Sequence, residues 1–139
     1  MRVLCPNFKR TVDGIGCLAL VIVQDAKTLR VLMVAFTDEA GFRESLRVGK
    51  VSLFSTSHNK RWVKGEESGN FMQIVSVRVD CDGDAILYLV EPQGLCLACH
   101  TNAKSCFYRD IFGLSESAPA AGEHEALKFV DLEVHQDLQ

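Results

Sequence analysis

The chain has 139 residues, of which 47% are hydrophobic and 24% charged, and its net charge is −3. This composition fits one folded domain and excludes a disordered or fibrous chain. The slight acidity argues against nucleic acid or an anionic membrane as a partner. The first apolar run, Cys17 to Val23, is seven residues long, too short to span a bilayer. Pro6, Asn7, Lys9 and Arg10 interrupt any leader before it, so a cytoplasmic protein is expected.

Residues 17–23 (CLALVIV) and 30–36 (RVLMVAF) read as antiparallel apolar strands. Thr37 or Asp38 is placed to cap a short helix ending near Val48, with Phe42 and Leu46 on one face and Gly49 at its exit. A strand resumes at 51–55 (VSLFS), and 56–69 reads as a long polar segment. Residues 71–79 (FMQIVSVRV) alternate as a strand, with Ile74 or Val75 turned inward. Another strand, 85–90 (AILYLV), is stopped by Pro92 and Gly94. Residues 107–112 suit a final core strand, and 127–134 suit one more.

The chain divides by charge near Leu114. Six acids against Lys128 give −5 for residues 115–139, which leaves +2 for residues 1–114. The expected organisation is a body of residues 1–114 that attracts an anionic small molecule, followed by an acidic extension over 115–139.

Three segments carry chemistry. In DCDGD at 80–84, the two-residue period places Asp80, Asp82 and Asp84 on one face of an extended segment, with Cys81 on the other. Three close carboxylates need a cation, and hard oxygens favour Mg²⁺ or Ca²⁺. An EF-hand fails because Ala85 holds the position that requires glycine and Pro92 blocks the exit helix. A solvated acidic turn is the plain alternative.

Further on, Cys96, Cys99 and Cys106 cluster with His100 beside Cys99. Thiolates favour Zn²⁺. Four sulfurs, with Cys81, would make a closed structural site; three sulfurs without Cys96 would leave a position for water. A loop that binds no metal is the third reading.

In the 55–69 segment, Ser55, Ser57 and Ser68 offer hydroxyls, and Lys60, Arg61 and Lys64 offer charge for phosphate. Trp62 can cover a planar base or serve as a buried anchor. Glu66 or Glu67 can orient water, or simply be solvated.

Together, FSTSHNKRWVKGEESGN at 54–70, DCDGD at 80–84 and ACHTNAKSCF at 98–107 resemble the signatures of the phosphoribosyl-AMP cyclohydrolases. The resemblance covers roughly residues 15–113. It implies hydrolytic opening of the adenine ring of phosphoribosyl-AMP between N1 and C6, a step of histidine biosynthesis. It further implies Mg²⁺ on Asp80, Asp82 and Asp84, and Zn²⁺ on Cys81, Cys99 and Cys106 across a homodimer interface, with His100 as general acid and base. The expected fold is α+β and β-rich: a compact antiparallel sheet or barrel-like domain with short helices, in an intertwined homodimer. Two departures stand out. Thr56 and His58 replace cations of the family's run, and 94–102 is two residues longer, without the family's proline, with Cys96 gained and Asn102 in place of glycine. The rival expectation is a zinc-stabilised nucleotide-binding module without activity.

Overall fold

The computed structural model describes residues 5–110 and 130–131. Within them the chain forms β1 (Arg10–Val12), β2 (Ile15–Asp25), β3 (Val31–Asp38), α1 (Glu39–Val48), β4 (Ser52–Ser55) and β5 (Lys60–Val63). Then follow β6 (Met72–Val79), β7 (Ala85–Pro92), β8 (Arg109–Asp110) and β9 (Val130–Asp131). The main sheet runs β5-β4-β3-β2-β7-β6, and β1 also pairs with β2.

Apolar alternation builds this sheet. Ala19, Val21 and Val23 of β2 and Ile86, Tyr88 and Val90 of β7 are fully buried, two residues apart, on one face. Leu53, Met72 and Val51 join them in the core. Complete burial of each such aliphatic side chain contributes about 1.5–3 kcal/mol. The sheet also curls: Val51 N donates to Met72 O at 3.1 Å and Ile74 N to Gly49 O at 2.7 Å. The segment entering β4 thereby meets β6 from the far edge, and the result is a half-barrel with, among the described residues, one short helix.

The β-rich α+β expectation holds, with several corrections. The sheet is not wholly antiparallel, because β2 and β7 run parallel from Leu20↔Ala85 to Asp25↔Val90. The polar stretch 56–69 is not all loop, since Lys60–Val63 pairs antiparallel with β4. Its polar composition hid a strand whose outer face meets solvent. A register shift between Ile74 and Ser76 settles which residue faces inward: Ile74 packs on the core and Val75 is exposed.

The helix begins and ends as its cap residues dictate. The Asp38 side chain accepts from Gly41 N at 2.8 Å, and Gly49 turns left-handed with φ 72° while its N–H reaches Ser45 O. Phe42 packs on the core, but Leu46 is exposed, so the expected apolar pair is split. Gly41 and Ser45 form the buried face instead, because α1 lies close enough for Ser45 Oγ to bond both the N–H and carbonyl of Ser52. The expected strand at 107–112 is described only as β8, and that at 127–134 only as β9, which pairs with it. The rest of the acidic extension lies outside the described residues; among those described, no helix is long and apolar enough to cross a membrane.

Candidate active site

The β4–β5 hairpin, the loop after it and the thiol loop enclose a cleft of about 760 Å³. Ser55, Ser57, His58, Lys60, Trp62, Lys64, Glu66 and Ser68 line one side, and Cys99 and His100 line the other. Two segments separated by about thirty residues of sequence thus meet across one cavity. Of the expected binding residues, Arg61 alone is not in the lining. Alternation on β5 turns it away from Lys60 and Trp62, and its Nε donates to both oxygens of Asp38, at 2.9 and 3.1 Å.

The thiol loop is a tight knuckle. Cys99 N donates to Ala103 O and Asn102 N to Cys99 O, both at 3.1 Å, with Asn102 at φ 66°. Buried Ser105 then anchors the return, its hydroxyl donating to Val31 O at 2.7 Å. This folding-back brings the Cys99 and Cys106 thiols close enough to perturb each other, with Lys64 acting on both. Burial pushes Cys106 up to about 11, reinforced by Cys99. Burial also raises Cys99, but hydrogen bonds from Thr101 and Cys106 and the charge of Lys64 outweigh it and carry that thiol below its ordinary value. Burial lowers Lys64, opposed by the two thiols.

Cys81 does not join Cys99 and Cys106 within the chain: among the described residues, the sole group of three or more candidate metal ligands is Asp80, Asp82 and Asp84. Cys96 is turned aside as well, its thiol donating to Pro92 O at 3.3 Å. All six cysteines are free. A pair of neighbouring thiols, one raised and one lowered from its ordinary value, suits a soft metal, with further ligands supplied from elsewhere.

The Asp80, Asp82 and Asp84 ligand oxygens lie within 4.8 Å of one another, but not because the segment is extended. Residues 81–84 form the turn between β6 and β7. Asp80 Oδ1 accepts from Gly83 N at 2.9 Å and Ala85 N at 3.2 Å, and the turn wraps the other two carboxylates around it. Burial raises Asp80, yet these N–H donors and its neighbours bring it below the usual range. Asp82 is held above it by Asp84 and Asp80. Such an oxygen set fits a hard divalent cation. In the chain itself the charge is met partly by Lys9, at 3.6 Å from Asp84 and 3.8 Å from Asp82, and by Arg10, at 2.8 Å from Asp84.

The family model described as phosphoribosyl-AMP cyclohydrolase matches residues 33–108, which take in the cleft, the acidic turn and the thiol knuckle. The chain belongs to that family. A phosphoribosyl-AMP cyclohydrolase of Methanosphaera stadtmanae is 42% identical over 131 residues, covering 94% of this chain and 97% of the relative. One of Methanocorpusculum labreanum is 53% identical over 93 residues, 67% of this chain and 74% of the relative. A histidine biosynthesis bifunctional protein of Deinococcus radiodurans is 45% identical over 102 residues, 73% of this chain but 45% of the relative.

Two connections, one beside this cleft and one across it, escaped the sequence reading. Asp38 serves at once as helix cap and as partner of Arg61; only the cap was legible. Asn70 lines the cleft and joins its two walls, its Oδ1 accepting from Leu95 N at 2.8 Å. The clue available was its place directly after the turn residues Ser68 and Gly69, where asparagine commonly bonds the backbone.

Proposed function

We propose that this chain hydrolyses the N1–C6 bond of the adenine ring of phosphoribosyl-AMP in histidine biosynthesis. One observation carries the reading: a single cleft joins the Ser55–Ser68 binding segment to Cys99 and His100. Its family supports the same substrate.

Lys60 and Lys64 face the cleft with Ser55, Ser57 and Ser68, and this set holds phosphate. Trp62 offers a flat apolar surface for the purine. His100 takes the proton from the attacking water and returns it to the departing ring nitrogen. Glu66 orients the water. Holding ring, water and imidazole together removes much of the alignment cost of attack.

Zinc would be held by Cys99 and Cys106, with Cys81 from a second copy in a homodimer, and supplies a lowered pKa for the attacking water. Magnesium would be held by Asp80, Asp82 and Asp84 and supplies positive charge for an oxygen-rich part of the substrate. The outward turn of Cys96 supports an open site over a closed four-sulfur one. Residues 1–114 form the catalytic unit in this reading, with 115–139 peripheral. Six unpaired thiols suit the reducing cytoplasm, where we place the protein.

A spectroscopic ring-opening assay with Zn²⁺ and Mg²⁺ supplied, paired with X-ray absorption at the zinc edge, tests this. Turnover is expected with three sulfurs and one light-atom ligand on zinc. His100→Ala should keep the metal and lose most turnover, and Cys96→Ser should keep both. Four sulfurs and no turnover would establish the non-enzymatic module instead.

A further inference from the structure

Asn70 sits at the seam of the cleft. Its side chain is nine-tenths buried and lines the cavity. Because Leu95 N is a donor, the atom facing it must be Oδ1, at 2.8 Å, which fixes the orientation of the amide. The seam is closely packed: Gln93 N donates to Phe71 O at 2.8 Å, and a Cβ on Gly94 would fall 2.7 Å from both Asn70 Oδ1 and Gly69 O. Oδ1 therefore binds the thiol loop to the loop that follows β5.

The other half of the amide has no such partner. Nδ2 finds no protein acceptor among the described residues. Nor is it sealed from solvent, since among the described residues Tyr88 Oη is the lone sealed polar side-chain atom without a partner. A donor fixed at the wall of the cleft and open to it is placed to bond a molecule bound there in exchange for water. Charge decides which part of that molecule. Phosphate oxygens are drawn to Lys60 and Lys64, so a neutral amide N–H is left to a neutral acceptor. On a purine, N3 and N7 are such acceptors, and neither belongs to the N1–C6 bond that breaks.

We infer that Asn70 reads the base of the bound nucleotide, Nδ2 donating to a purine ring nitrogen while Oδ1 holds the thiol loop in place. This rests on the proposal that the cleft takes a purine nucleotide.

Binding of AMP, 3-deaza-AMP and 7-deaza-AMP, followed by the fluorescence of Trp62, tests the inference without turnover. For the unaltered protein, one deaza analogue should bind about tenfold more weakly than AMP, a difference of about 1.4 kcal/mol. Asn70→Asp retains an oxygen for Leu95 N and removes the donor. It should melt close to the unaltered protein, bind AMP about tenfold more weakly, and no longer distinguish that analogue. Asn70→Ala should lose affinity and melt lower as well. Equal binding of all three ligands by the unaltered protein would overturn the inference, and needs no variant to fold. So would undiminished discrimination in Asn70→Asp, an unshifted melt in Asn70→Ala, or no binding of AMP. The ring-opening assay, run alongside, separates the two claims. A protein that turns over but treats all three ligands alike keeps the hydrolase and loses the inference. One that discriminates through Asn70 without turnover keeps the inference and loses the hydrolase.

Discussion

Arg61 Nε donates to both carboxylate oxygens of Asp38, and one of those oxygens also accepts the Gly41 N–H that opens α1. One carboxylate therefore ties the β5 wall of the cleft to the start of the helix. Asp38→Ala removes cap and ion pair together, and should lower stability by about 1–2 kcal/mol in chemical denaturation. Arg61→Ala breaks only a half-exposed pair and should lower it by less than about 1 kcal/mol. Asp38→Asn keeps a capping oxygen and should fall between them. Equal losses for Asp38→Ala and Arg61→Ala would show that the cap contributes nothing.

Zinc binding should weaken as the pH falls. Cys106 rests at about 11, so near neutrality it is protonated without metal, and binding must expel that proton. Affinity should drop about tenfold for each unit of pH lost to this one thiol. Competition with a chromophoric chelator across pH 6.5 to 8.5, about two units, measures the slope. An affinity independent of pH would exclude Cys106 as a ligand. Cys99→Ala and Cys106→Ala should each lose zinc, and Cys81→Ala should lose zinc and shift the proposed homodimer toward monomer in sedimentation.

The three carboxylates should separate by variant. Asp80 holds the β6–β7 turn through Gly83 N and Ala85 N, and Asp84 meets Arg10. Asp82 is exposed, and among the described residues its one ion pair is the long one to Lys9. Asp82→Asn should therefore change stability by less than about 0.5 kcal/mol while weakening Mg²⁺ binding, read by calorimetry. Unchanged Mg²⁺ binding in Asp82→Asn would make this an ordinary solvated turn.

Gly94→Ala should be costly although the position is exposed. Its φ is +63°, and the added carbon would press on Asn70 Oδ1 and on Gly69 O. A loss of about 1–3 kcal/mol is expected in thermal and chemical unfolding. A melt matching the unaltered protein would show that the loop shifts freely to accept the methyl group.

Where one local physical rule acts alone, the sequence by itself determined the outcome. Short apolar runs set β2, β3 and β7, and Asp38 and Gly49 bounded α1 through the backbone groups that any helix leaves unsatisfied. Residue chemistry likewise marked hard oxygen at Asp80, Asp82 and Asp84 and soft sulfur at Cys99 and Cys106. The tertiary structure decided what depends on residues far apart in the chain. It set β2 parallel to β7, since strand neighbours on a curled sheet are chosen by core packing, to which local pattern is blind. It also gathered the three carboxylates by a turn where periodicity alone suggested a strand, because the N–H groups of Gly83 and Ala85 had Asp80 to bond. And it turned Arg61 out of the cleft and Asn70 into it: side-chain type says what a group can bind, but only the packed strands and loops fix which way it faces.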